Sequence, residues 1–302
     1  KQRPTDRRAQ MIPAAFDYIA PRRLDEALEA LAAHGEEAKL LAGGHSLLPL
    51  LKLRLATPKL LIDLTRIPGL SNIGQEDDKI VIGALTTHYQ IESSKLLQAK
   101  CPLLPQTARV IGDVQVRNRG TIGGSLAHAD PSADWPAAIL ALGAELKLIG
   151  PKGERRIVAE EFFLDVLTTA IDPTEILTEI RVPVLSRRSG SAYLNVAQQA
   201  SGFAIVGVAV WLRVAQNGRC DDVGIGVTGL SHKSYRAHRA EEGLRGNKLS
   251  PKVIEGSAAQ VTEGVDAVED LHASARFRTH LAQVYTYRAI AEAVKRAAGS
   301  KA

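Results

Sequence analysis

The chain has 302 residues, 45% of them hydrophobic, with 38 Lys and Arg against 33 Asp and Glu. That apolar share excludes wholesale disorder, and the length predicts two domains, each able to bury a core without disulfides or metals. Much of the formal charge of +5 sits in the first ten residues, where Lys1, Arg3, Arg7 and Arg8 accompany Asp6. With aromatics at only 4% as well, the sequence lacks the basic face and stacking platforms of a nucleic-acid binder.

Residues 1–10 read as an upstream extension before Met11, the one methionine, and lack the apolar core of a signal peptide. No apolar run approaches the roughly 20 residues of a membrane span, so a cytoplasmic protein is expected. Cys101 and Cys220 are too few for a four-thiolate cluster or a zinc site and read as reduced thiols.

In chain order, Pro21–His34 carries Leu24, Ala27, Leu28 and Leu31 at helical spacing, and Gly35 stops it. Lys39–Ala42 is a short buried strand running into Gly43 and Gly44. Leu47–Leu55 is helical, limited by Pro49 to a first-turn start or a break. Lys59–Leu64 is a strand. Leu70–Ile73 and Lys79–Ile82 flank polar residues in a hairpin pattern. Thr86 or Thr87 caps a helix over His88–Ser94, and another covers Leu103–Ile111. Pro136–Leu142 is a helix with Pro at its start. Glu145–Ile149 and Arg155–Ala159 bracket Gly150–Gly153 as a second hairpin. Leu177–Pro183 is a strand and Ser186–Gly190 a linker. Phe203–Val214 and Asp222–Leu230 are β-rich, and helices fill most of 236–298. The chain is thus α+β, with a boundary near 185.

Two Gly-Gly loops carry the chemistry: Ala42-Gly-Gly-His-Ser46 and Thr121-Ile-Gly-Gly-Ser125. Adjacent residues without Cβ let backbone N–H groups approach a ligand, and successive N–H groups form an anion-binding concavity. Ser46, Thr121 and Ser125 add hydroxyls. Two such loops converging suit a pyrophosphate. Neither is a dinucleotide-fold or P-loop fingerprint. Asp134 is either an acceptor for ribose hydroxyls or a cap for the helix at Pro136. His45 is a phosphate or flavin donor or an exposed loop histidine. Arg117 and Arg119 could meet phosphate, solvent or a partner. His128 with Asp130 has the form of an acid–base pair but no nucleophile follows.

Four segments resemble the flavin-binding medium subunit of the molybdenum hydroxylases, of the carbon-monoxide-dehydrogenase type, which is similar to the flavin domain of xanthine dehydrogenase. They are LAGGHSLLPLLKLRLATPKLLIDL, QVRNRGTIGGSLAHADPSAD, LTEIRVP and SGFAIVGVAV. The resemblance spans residues 11 to about 297. It implies a two-part FAD-binding domain of the PCMH/VAO type over 11–184 (parts about 11–64 and 65–184). A C-terminal domain of antiparallel sheet and helices follows over 190–298.

The resemblance places Leu41, Ala42, Gly43, Gly44, His45, Ser46 and Leu47 around the FAD diphosphate. It makes Thr121, Gly123, Gly124 and Ser125 the second flavin segment and puts Asp134 near the nucleotide sugar. Ile111 and Leu177 become apolar contacts. It departs from many relatives at Ser125, where Asn is common, and at Asn195, where a lysine is common. It implies no catalytic acid, base or nucleophile and no metal on this chain. The molybdenum cofactor and [2Fe–2S] clusters belong to a large and a small partner subunit, in a dimer of heterotrimers (a heterohexamer). Electrons leave FAD for quinone, NAD or oxygen. The alternative is a non-redox nucleotide- or phosphate-binding protein.

Overall fold

The computed structural model describes residues 12–299. The first unit is a small parallel sheet, β1 (Asp17–Ile19), α1 (Leu24–His34), β2 (Ala38–Leu41), α2 (Leu47–Lys52) and β3 (Leu60–Asp63), with strand order β1-β3-β2. Helix α1 ends at Gly35, whose φ of 52° suits glycine. Ala27, Leu31, Ala38, Leu60 and Ile62 form its core. Strand β1 pairs through main-chain bonds at a site with no sequence signature, and was not expected.

The second unit begins with the hairpin β4 (Ile73–Glu76) and β5 (Lys79–Gly83). Its first strand runs later than expected, because Asp77 takes φ of 50° and closes a two-residue turn within the polar stretch. A run of short helices follows: α3 (His88–Ser93), α4 (Lys95–Lys100), α5 (Leu103–Val110), α6 (Val114–Arg119), α7 (Ile122–His128) and α8 (Asp134–Ala141). Helix α3 opens with a reciprocal capping box between Thr87 and Gln90. Then come β6 (Glu145–Gly150), β7 (Gly153–Val158), α9 (Ala159–Phe162), β8 (Phe163–Asp165), β9 (Thr168–Thr169) and β10 (Ile176–Pro183). The resulting five-stranded antiparallel sheet has the order β4-β5-β10-β6-β7. Its alternating apolar residues, Ile80, Ile82, Leu146, Leu148, Ile180 and Val182, meet α5, α7 and α8 in the largest core.

The C-terminal unit is an antiparallel sheet, β11 (Ser189–Ala197), β12 (Ala204–Val214), β13 (Cys220–Thr228) and β14 (Tyr235–Arg236). Helices α10 (His238–Leu244), α11 (Pro251–Ala259) and α12 (Ala275–Gly299) cover one face. The other face receives α8. The expected linker is shorter than Ser186–Gly190, since Ser189 and Gly190 already pair with Arg213 and Leu212. Gly190 is required there because a Cβ would overlap the Ala293 carbonyl of α12.

Helix α8 joins the two domains. Gly224 and Gly226 of β13 face it, and a Cβ on either would overlap the Ala141 or Ala137 carbonyl. Trp211 Nε1 donates to Ala141 O at 2.5 Å, and Thr228 Oγ1 donates to the Pro131 and Ala133 carbonyls at 2.7 and 2.8 Å. Tyr193 and Ala209 of the C-terminal sheet belong to the core of the preceding domain.

Two expectations about the Gly-rich region are corrected. Gly123 and Gly124 do not form a loop: they are in the first turn of α7, which Thr121 caps by accepting from Gly124 N–H. Asp134 does not cap α8 either. The N-cap is Ala133, and Asp134 is the first helical residue. Both cysteines are buried and free. Among the described residues, no helix is long and apolar enough to cross a membrane, and no His/Cys/Asp/Glu group is arranged for a metal.

Candidate functional site

Strand β2 ends at Leu41, and the chain turns sharply through Gly44, whose φ is 78°. Helix α2 begins immediately afterwards. In this turn, no group among the described residues accepts from the N–H of Gly43, Gly44, His45 or Ser46. The carbonyls of the same turn are used: Gly44 O accepts from Leu48, and Ser46 O from Leu50. Four consecutive donors are therefore free to face an anion. His45 is exposed, with Nδ1 3.1 Å from Gly43 O.

The second segment meets this turn. A Cβ on Gly43 would overlap the Arg119 carbonyl and lie 2.9 Å from Gly120 Cα. A Cβ on Gly124 would lie 3.6 Å from Ala42 Cβ. The two glycine pairs thus converge, but their duties differ. In the second, Ile122 N–H donates to Thr86 O, Gly123 N–H to Ala84 O, Gly124 N–H to Thr121 Oγ1 and Ser125 N–H to Thr121 O. Its amides are consumed internally, contrary to the expectation of a second set of free N–H groups. Gly123 serves packing instead: a Cβ there would meet Ala84 Cβ at 2.5 Å.

A cleft of about 400 Å³ runs along this junction, between the small parallel sheet and the five-stranded unit. Ala42, Gly43 and Thr121 line it, with Thr65 and Ile67 after β3, Ser71, and Leu85, Thr87, Tyr89 and Gln90 near the start of α3. Asn118 and Arg119 complete the wall. No carboxylate lines it, and Arg119 has no acidic partner among the described residues. The electrostatics favour an anion. Sequence reading missed most of the far wall. The one signal was the Thr87–Gln90 capping pair, which fixes where α3 begins.

Other expected residues lie elsewhere. Ile111 ends α5 and packs, half-buried, on the main core, its carbonyl accepting from Arg117. Leu177 is buried beside a bulge in β10. Asp134 is buried, its Oδ1 accepting from Tyr193 Oη at 2.5 Å and Asn195 Nδ2 at 2.8 Å. Burial pushes its carboxyl up to about 6, although both bonds pull the other way. Arg117 bonds Glu92 at 2.9 Å and is therefore structural. His128 and Asp130 are not hydrogen-bonded to each other; Asp130 accepts from Ser132 N–H at 2.8 Å.

The cleft fits the diphosphate of a dinucleotide: a glycine turn seated closely on the Arg119–Gly120 backbone, four adjoining amides and a guanidinium, both without protein partners among the described residues. Known proteins agree. Residues 14–185 match the FAD binding domain in molybdopterin dehydrogenase, and residues 191–293 the CO dehydrogenase flavoprotein C-terminal domain. The chain is 39% identical to the carbon monoxide dehydrogenase medium chain of Hydrogenophaga pseudoflava, over 95% of this chain and 100% of that one. It is 38% identical to the 6-hydroxypseudooxynicotine dehydrogenase complex subunit alpha of Paenarthrobacter nicotinovorans, over 96% and 98%. A solved carbon monoxide dehydrogenase from Hydrogenophaga pseudoflava, lacking the Mo-pyranopterin moiety, superposes with a TM-score of 0.92 at 40% identity, covering 95% of this chain and 99% of that one. With its cradle, its sheet order and both halves matched, the chain belongs to the FAD-binding medium subunits of carbon-monoxide-dehydrogenase-type molybdenum hydroxylases.

Proposed function

We propose that this subunit holds FAD with its diphosphate on the Gly43–Ser46 amides and relays electrons from [2Fe–2S] clusters on a small partner subunit to an external acceptor. The observation that carries this reading is the run of four free N–H groups beside a cleft without carboxylates. Leu41 to Leu47 wrap the diphosphate, with Thr121, Gly124 and the Ser125 hydroxyl opposite. Gly123 allows the close seating of α7. Outside the cleft lining, Asp134 meets the nucleotide sugar region with Oδ2, the oxygen that Tyr193 and Asn195 leave free, and Ile111 and Leu177 back the cofactor from the core. Residues 11–184 form the binding domain, and 190–298 its C-terminal partner. Substrate oxidation belongs to a large subunit carrying the molybdenum cofactor. The assembly is a dimer of heterotrimers in the cytoplasm.

When bound, FAD supplies the redox chemistry, accepting electrons and passing them on. The chain's residues bind and orient it. Backbone amides and Arg119 neutralise phosphate charge, while Ile67 and Leu85 form an apolar wall of the cleft. The acceptor is quinone, NAD or oxygen. Asn195, a neutral donor to Asp134, leaves that position without an ammonium.

The test is the visible spectrum of the purified chain, with the released cofactor identified by mass. A flavin spectrum and FAD are expected in the wild type. Gly43→Val is expected to lose at least nine-tenths of that FAD, because its side chain drives the Arg119–Gly120 backbone from the cradle. Full occupancy in Gly43→Val would remove the first glycine pair from the binding reading.

A further inference from the structure

We propose that His88 is a further ligand of the dinucleotide, its Nε2–H donating to a phosphate oxygen at the junction of the two glycine segments. This inference rests on the FAD reading above and concerns a side chain that neither motif contains.

His88 opens α3 and is 4% exposed, its backbone N–H donating to Gly120 O at 3.0 Å. Its ring is oriented from behind. Trp135 Nε1 donates to His88 Nδ1 at 3.0 Å. An indole N–H can only donate, so Nδ1 must be bare, and the single proton of the neutral ring lies on Nε2. Burial first, then the neighbouring His45 and Arg117, push the imidazole down to about 4, which keeps it neutral.

That leaves a directed donor without an acceptor. No described residue hydrogen-bonds Nε2. The atom lies against Gly120, where an added Cβ would be 2.6 Å away. Gly120 has φ of −60° and ψ of 139°, a conformation any residue adopts, so its missing side chain is explained by the imidazole and not by the backbone. Gly120 stands between Arg119 and Thr121, both in the cleft wall, and directly behind Gly43. A buried ring with both orientation and tautomer fixed, and its one donor beside Gly120 in the wall behind Gly43, is built to receive an oxygen acceptor.

The experiment uses the full chain with ¹⁵N-labelled histidine, stripped of cofactor and then titrated with FAD, ADP or riboflavin. Eight histidines keep the long-range ¹H–¹⁵N spectrum assignable, with His88→Gln identifying the signal. Expected is an Nε2–H tautomer in the stripped chain. FAD and ADP move the Nε2 and Hε2 resonances, whereas riboflavin, which has no phosphate, leaves them in place. His88→Gln weakens FAD binding by about ten- to a hundredfold, as loss of a bond to a charged acceptor does. Trp135→Phe, which keeps the buried aromatic, loses the single tautomer and reads the same point if His88→Gln does not fold. An Nδ1–H tautomer in the wild type overturns the inference. So do His88 resonances that stay fixed while FAD binds, or a His88→Gln affinity within about twofold of wild type. Those outcomes leave the FAD reading standing, whereas a wild-type chain that takes up no FAD overturns both.

Discussion

Asp134 holds its proton to a pH at which an exposed aspartate has already lost it. Burial raises its carboxyl to about 6, and Tyr193 and Asn195 supply neutral hydrogen bonds but no positive charge. The folded state therefore binds this proton more tightly than the unfolded chain. The stabilisation is complete below about pH 3.8 and is lost as the pH rises through 6. His88 runs in the opposite sense: its stabilisation is present above 6.5 and is lost as the pH falls toward about 4. In the wild type the two slopes oppose each other. Asp134→Asn removes one of them while keeping an oxygen for Tyr193. Relative to wild type, the stability of the cofactor-free variant is expected to rise by about 2 kcal/mol between pH 4 and pH 6, read from urea unfolding. A difference independent of pH would show that Asp134 is ionised throughout. The sequence marked Asp134 by its place after the second glycine pair. It carried no sign that Tyr193, 59 positions away, would claim the carboxylate. Short motifs report local chain geometry, and side-chain partners across a domain contact lie outside their reach.

Among the elements, those with strong local signals were legible: α1 from its apolar spacing and Gly35, α3 from Thr87, and the β6–β7 hairpin from its turn. The second glycine pair was misread because Gly favours loops by propensity, while here Thr121 caps a helix that leans on Ala84. Strands β1 and β11 were missed, since their pairing depends on distant partners. The cleft's far wall was equally invisible because it comes from three separate connections. Helix α8 shows what such distant packing demands. Gly224 and Gly226 let its carbonyls rest on β13, so Gly224→Val is expected to cost about 1–3 kcal/mol through overpacking, seen as a lowered Tm. Gly256 is the contrasting case. It lies exposed in α11 with no atom within 4 Å of an added Cβ, so Gly256→Ala is expected to add about 1 kcal/mol. Equal effects of the two substitutions in thermal melts would contradict the packing argument.

For the whole molecule, the two domains are joined more closely than a boundary near residue 185 suggests. The main core takes in Tyr193 and Ala209, and Pro131, Ala133 and Ala141 all accept hydrogen bonds from the C-terminal sheet. Composition and length indicated two domains, but a shared core has no compositional signature. A polypeptide of residues 12–185 is therefore expected to bind FAD at least tenfold more weakly than the full chain, by equilibrium dialysis. Equal affinity would show that the first domain forms its pocket unaided.

Helix α8 also gives assembly an order in time. It presents Trp135 to His88 on one side and Asp134 to Tyr193 on the other. As the protein leaves the ribosome, the pocket residues emerge well before β11 to β13, the strands on which this helix rests. Until those strands arrive, the side of α8 that faces β13 is bare. Cofactor loading is thereby weakened until the C-terminal strands are in place, and a truncated product would hold FAD only loosely.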